Sequence, residues 1–199
     1  MTTLRWTAPP GIRGLIFDCD GTLADTMPAH HRAWVAMLQP HGIAFPEDRF
    51  YAMGGMPTAQ IIRVLAADAG VAVHDVDAMV HAKERLFLQM LDAVQPIAPV
   101  VAIANAYRAV LPMAVASGGY RDVVGRTLDQ LRIRSWFQAM VTAEDTQRHK
   151  PEPDVFLEAA RRLSVPPAAC AVFEDTELGL EAARRAGMLG LDVRPWGKV

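Results

Sequence analysis

The sequence predicts an α/β protein: a doubly wound parallel sheet assembled from both ends of the chain, with a helical unit inserted after the first strand. Three observations carry this. A short, wholly apolar run near the N-terminus ends abruptly in acid at Asp18 and Asp20. Between residues 28 and 92, apolar side chains recur at roughly helical spacing. After residue 96, short apolar runs alternate with amphipathic stretches, the grammar of βα units on a parallel sheet.

Taken in order, Gly14-Leu15-Ile16-Phe17 reads as a strand buried on both faces that delivers polar residues at its C-terminal end. Residues 29–38, 58–67 and 75–91 read as helices, and three or four helices fit the middle section. Pro40-His41-Gly42, Pro46, Gly54-Gly55 and Gly70 punctuate it where helices stop. Beyond Gln95-Pro96-Ile97-Ala98-Pro99, the reading is a helix over 100–110, a strand over 113–116, the loop Ser117-Gly118-Gly119 and a helix over 121–131. A strand over 139–142, a helix over 154–163, a strand over 170–173, a helix over 176–186 closed by Gly187 and a last strand over 189–193 complete it. The expected domains are 1–26 with 96–199 for the sheet and 27–95 for the helical insertion. No internal repeat and no low-complexity tract interrupts them.

Composition narrows the function. With 51% apolar and 21% charged residues, the chain of 199 can bury a substantial core and is not of the disordered kind. Twenty Lys and Arg against 22 Asp and Glu, with no basic tract, argue against nucleic acid as a partner. The longest apolar stretches, such as 110–116 with its internal Pro112, fall short of the roughly 18 residues a membrane helix needs. No secretory signal is visible at the N-terminus. Cys19 and Cys170 each lie in an apolar run and read as reduced packing residues, so the expected compartment is the cytoplasm. No feature encodes an oligomeric state, and a monomer is the default.

In open α/β sheets ligands collect at the carboxyl ends of the strands, so the residues that follow each apolar run carry the chemistry. Here they are Asp18 and Asp20, Ser117-Gly118, Lys150 in the loop after the third run, and Glu174-Asp175. Four acids repel unless a cation sits among them, and Mg2+ with its oxygen ligands is the natural occupant. Ser117 and the N–H groups of Gly118 and Gly119, where a helix begins, suit a phosphate. Lys150 adds a point charge to that site. A nucleophilic carboxylate, a metal, a hydroxyl and an ammonium are the parts of in-line phosphoryl transfer. Two carboxylates two residues apart can divide the labour, one attacking phosphorus and one moving a proton.

These motifs resemble, in order, all four motifs of the haloacid dehalogenase-like phosphatase superfamily. They are Asp18-Cys19-Asp20-Gly21-Thr22-Leu23, Ser117-Gly118, Lys150-Pro151-Glu152-Pro153, and Phe173-Glu174-Asp175-Thr176-Glu177-Leu178-Gly179. The resemblance spans residues 14–193 and implies a Rossmann-like core with a helical cap inserted after the first strand, in agreement with the pattern reading. It also implies that Asp18 is the nucleophile forming a phosphoaspartyl intermediate and that Asp20 is the general acid, then base. It implies Mg2+ held by the Asp18 carboxylate, the Asp20 backbone carbonyl and Asp175, with Glu174 as a direct or water-bridged ligand. Ser117, Gly118 and Lys150 would hold the phosphoryl group.

Within the superfamily the stretch from Thr26 to Trp34 looks like the β-phosphoglucomutase branch and its sugar-phosphate phosphatase relatives. His30 matches a histidine that in the mutases helps the acid/base aspartate; on the residues alone His31 is an equal candidate. Those mutases hold a second phosphate with a cap arginine. Thr58, in Gly54-Gly55-Met56-Pro57-Thr58, is placed at that position and lacks the bidentate guanidinium. Hydrolysis is therefore expected, on fructose 1-phosphate or 6-phosphogluconate-like substrates. The mutase, to which Arg63 or Lys83 would have to contribute the cation, is the alternative. His30, Thr58, Gln60, Arg63 and Lys83 are the candidate sugar contacts.

Each residue has a plainer reading. Asp18 and Asp20 could serve a strand-end turn, Ser117 an N-cap, Glu174 and Asp175 the dipole of the next helix. Trp34, Trp136 and Trp196 read as packing, and Cys19 as a small hydrophobe facing the core. From another class, a phospho-accepting receiver domain shares the Asp, hydroxyl and Lys but lacks both the insertion and the second aspartate. A binding scaffold that has lost activity would require a damaged motif, and all are intact.

Overall fold

The computed structural model describes residues 6–196, and the chain falls into two compact units: residues 6–25 with 95–196, and Thr26–Val94. The first is a five-stranded, fully parallel sheet: β1 (Gly14–Phe17), β2 (Met113–Ala116), β3 (Ala139–Val141), β4 (Cys170–Glu174) and β5 (Leu189–Asp192). The strand order is β3-β2-β1-β4-β5. The chain builds outward from β1 to β3, then returns to lay β4 on the other side of β1. The order thus reverses beside β1, where ligands bind in sheets of this kind.

Alternation along the strands sorts the core into two layers. Leu15, Phe17, Val115 and Phe173 pack on one face with Val100, Ile103, Val124 and Leu128. Ile16, Ala114, Ala116 and Val172 pack on the other with Phe156, Ala160, Ala182 and Ala183. Phe17 and Phe173, paired across β1 and β4, stack with centroids 4.5 Å apart. Both faces of β1, β2 and β4 are covered, which is why these strands read as unbroken apolar runs. Cys19 and Cys170 are buried and unpaired, the former in the first layer.

The insertion consists of α1 (Met27–Leu38), α2 (Glu47–Ala52), α3 (Thr58–Ala69) and α4 (Val76–Leu88). Its core gathers Trp34, Met37, Leu38, Phe45, Phe50, Ile62, Leu65, Met79 and Phe87. The Asp75 carboxylate caps α4 by accepting the Ala78 N–H at 2.8 Å. The remaining helices, α5 (Ala98–Tyr107), α6 (Arg121–Gln130), α7 (Asp154–Leu163) and α8 (Glu177–Arg185), flank the sheet. The chain leaves and re-enters the sheet unit along one path. Ala24 and Pro96 form an antiparallel bridge, the Asp25 N–H donates to Gln95 O at 2.8 Å, and the Ile97 N–H donates to Leu23 O at 3.0 Å.

Several boundaries depart from the expectation. α1 and α5 each begin two residues early because Pro28 and Pro99 sit in their first turns, where a missing N–H breaks no helical bond. α4 stops at Leu88 rather than residue 91, where a separate 3-10 turn (Leu91–Ala93) takes over. β3 and β5 end one residue sooner than expected, and β4 runs one further to include Glu174. Among the described residues no helix is long and apolar enough to cross a membrane.

Candidate active site

β1 delivers Asp18 at its C-terminal end, where the Asp18 N–H donates to Phe173 O of the neighbouring β4 at 3.0 Å. The chain then turns tightly, with the N–H groups of Leu23 and Ala24 both donating to Cys19 O at 3.0 Å. Gly21 has φ +78°, and a Cβ there would overlap the Asp175 carboxylate, so glycine is needed for both its conformation and its absent side chain. β4 delivers Glu174, which is fully buried, and then Asp175. Carboxylate oxygens of Asp18, Glu174 and Asp175 lie within 4.8 Å of one another.

Lys150 enters this cluster from the loop before α7 and is only 8% exposed. Its Nζ donates to Asp18 Oδ1 at 2.6 Å and Glu174 Oε2 at 2.8 Å, and lies 5.1 Å from the centre of the Phe156 ring. Asp175 Oδ1 accepts the Thr22 hydroxyl at 3.0 Å. Glu174 Oε1 accepts the Thr176 N–H at 3.0 Å and the Thr176 hydroxyl at 2.7 Å.

One ammonium faces two buried carboxylates, Asp18 and Glu174, and a third, Asp175, that is half-buried. Burial pushes the Asp18 carboxyl well above the ordinary range; Lys150 pulls it down, and Glu174, Asp175 and Asp20 add to the rise. Burial and then Glu174 push Asp175 up to about 7. For Lys150 burial opposes the charge, but Asp18 and Glu174 outweigh it and raise its pKa. The excess of buried negative charge, presented entirely on oxygen, is the donor chemistry of a hard divalent cation, so the residues present fit Mg2+.

Ser117 follows β2 and is 2% exposed; its Oγ accepts the Gly119 N–H at 3.0 Å. That N–H, one of those expected to face a phosphate, is therefore engaged within its own loop. Gly118 is exposed, and nothing lies within 4 Å of where its Cβ would be. A Cβ at Gly119 would sit 3.3 Å from Ser117 Oγ and 3.5 Å from Asp20 Oδ2, so the hydroxyl and the second aspartate flank the same stretch of backbone.

In the helical unit His30 and Lys83, far apart in sequence, meet: Lys83 Nζ lies 2.9 Å from His30 Nδ1 and donates to Glu84 Oε1 at 3.1 Å. Both are buried, with His30 stacked on Phe87 at 3.8 Å. Thr58 opens α3 and is half-buried, while Gln60 and Arg63 are exposed on that helix. His31, the equal candidate on residues alone, has its Nε2 3.0 Å from Phe45 O. Sequence reasoning assigned no role to Thr22, Thr176, Gly179 or Phe156. A hydroxyl at the N-cap directly after two acids was the available signal for Thr176.

The haloacid dehalogenase-like hydrolase family matches residues 12–187. This chain is a haloacid dehalogenase-like hydrolase. A fructose-1-phosphate phosphatase of Escherichia coli (strain K12) is 38% identical to it over 182 residues, covering 91% of this chain and 96% of that protein. A 6-phosphogluconate phosphatase of the same organism is 30% identical over 182 residues, covering 89% and 80%. Among solved structures, a β-phosphoglucomutase from Clostridium difficile superposes with a TM-score of 0.82 at 20% identity, covering 91% of this chain and 84% of the other. That likeness bears on the fold alone. As a member of this family, the hydrolase is a phosphatase and not a phospho-accepting receiver domain.

Proposed function

We propose that this hydrolase removes phosphate from small sugar phosphates, with fructose 1-phosphate and 6-phosphogluconate-like compounds as the substrate class. The observation that carries the reading is the convergence of buried Asp18 and Glu174 and half-buried Asp175 with Lys150 at the carboxyl end of the central strand. Its relatedness to phosphatases named for those two sugar phosphates supports the class.

Asp18, the Asp20 carbonyl, Glu174 and Asp175 would hold Mg2+. When bound, the metal supplies positive charge against the phosphoryl oxygens. An Asp18 carboxylate oxygen attacks phosphorus, the ester P–O bond breaks, and Asp20 gives the departing sugar oxygen its proton. Water then attacks the phosphoaspartyl group, Asp20 takes the proton, and phosphate leaves. Lys150 fixes Asp18 by its 2.6 Å bond and, with Ser117 and Gly118, receives the phosphoryl oxygens. In this reading the helical unit serves as the cap, and His30, Thr58, Arg63 and Lys83 are its candidate sugar-binding residues. Lys83 against Nδ1 would leave His30 to donate from Nε2.

The test is phosphate release from fructose 1-phosphate, 6-phosphogluconate and β-glucose 1-phosphate, with and without Mg2+, alongside glucose 6-phosphate formation primed by a bisphosphate. Mg2+-dependent release from at least one monophosphate is expected. Isomerisation without release would replace the phosphatase reading with the mutase.

A further inference from the structure

We infer that Thr176 is a positioning residue for the metal-binding carboxylates: its hydroxyl sets the rotation of the Glu174 carboxylate while capping α8. The inference rests on the reading that this cluster holds Mg2+.

Glu174 and Asp175 are consecutive, and consecutive side chains leaving a strand point to opposite faces. Their carboxylates nevertheless reach the same point as Asp18. Glu174 manages this by being gripped on every side. Its Oε2 accepts from Lys150, its Oε1 accepts two bonds from Thr176, and Gly179 leaves the slot it occupies, since a Cβ there would overlap the Glu174 carboxyl group.

The Thr176 hydroxyl is directional because it is used twice. Its oxygen accepts the Gly179 N–H at 3.0 Å, the N-cap bond of α8, and its single proton goes to Glu174 Oε1 at 2.7 Å. A hydroxyl-to-carboxylate bond of that length is charge-assisted. The terminal torsion of a glutamate is broad and weakly held by its own rotamer preference, so such a bond decides which way the carboxylate plane faces. Outer-sphere bonds of this type characteristically tune metal affinity. Thr22 does the corresponding work on Asp175 with one bond.

The experiment is calorimetric titration of Mg2+ into the wild type, Thr176→Val, Thr176→Ala and Thr176→Ser, with thermal melts to establish that each is folded at the titration temperature. Asp75→Ala, which removes the cap of α4 far in sequence from the cluster, controls for a lost cap as such. Mg2+ affinity should fall about 10-fold to 100-fold in the valine and alanine variants. It should return to within about 3-fold of wild type in the serine variant and stay unchanged in Asp75→Ala. Wild-type affinity in whichever of the valine and alanine variants is folded, or an equal loss in Asp75→Ala, would overturn the positioning role while leaving the phosphatase reading intact. A wild type that binds no Mg2+ would overturn both.

Discussion

Asp18 and Asp20 stand two residues apart in different surroundings. Asp18 is 5% exposed and ion-paired to Lys150, whereas Asp20 is half-buried beside Ser117 and Gly119. A residue whose carboxylate is fixed by an ammonium suits attack, and one at the edge of the cluster suits proton exchange. Asp18→Asn is therefore expected to lower turnover by at least about a thousandfold and Asp20→Asn by about 100-fold to 10,000-fold, the usual range for a lost acid–base group. Inorganic phosphate should still bind the Asp20→Asn variant, read by calorimetry; near-normal turnover in either variant would refute the mechanism. The glycines give a second contrast. Gly21→Ala forces a Cβ into left-handed backbone and into the Asp175 carboxylate, and should cost about 1–3 kcal/mol in urea unfolding. Gly118→Ala meets open space and should shift stability by less than about 0.5 kcal/mol.

At the level of elements, α7 carries a surface network whose response to pH follows from its charges. Arg162 donates to Glu158 at 2.7 Å, to Asp145 at 2.6 Å and to Met140 O at 2.9 Å, tying the helix to β3 and the turn after it. Bonds from Arg161 and Arg162 hold the Glu158 carboxyl down at about 2. Burial alone would raise Asp145, but the Arg162 bond and the Thr142 N–H and hydroxyl bonds outweigh it and bring it to about 2. Both groups lose their proton more readily folded than unfolded. Their contribution is complete above the ordinary carboxylate range and disappears as pH falls toward 2. The melting temperature should drop between about pH 5 and pH 2, and Arg162→Met should flatten that slope while lowering stability at pH 7.

The same elements show what the sequence could and could not announce. β1, β2 and α7 were legible to the residue because each is a contiguous run with clear punctuation. α1 and α5 start two residues before the expected positions 29 and 100, because Pro28 and Pro99 belong to their first turns, where proline is a favoured residue. The six-residue α2 is too short to display a period, so the sequence allows a fourth helix in the middle section without giving its range.

For the molecule as a whole, the strand ends point to the candidate site: acids, hydroxyl and lysine each follow an apolar run, and parallel strands bring such ends to one edge. What stayed hidden depends on long-range register. Nothing local tells that Lys83 reaches His30, or that Thr176 turns its proton toward Glu174 rather than to water.

The paired connection between the two units has a consequence for how the protein tolerates change. Ala24 and Pro96 bridge, and Asp25 and Gln95 hydrogen-bond, so the sheet unit already holds the two ends of its insertion side by side. Closing such a mouth imposes an entropy that grows only with the logarithm of what is looped out. Replacing residues 26–94 with a short turn should accordingly leave a sheet unit that melts cooperatively by circular dichroism; a non-cooperative melt would show that the insertion is needed for folding. The bridged pair of segments works as a socket. One contiguous cassette of chain should be exchangeable for another at a modest entropic cost, while every residue proposed for the phosphoryl chemistry stays where it is.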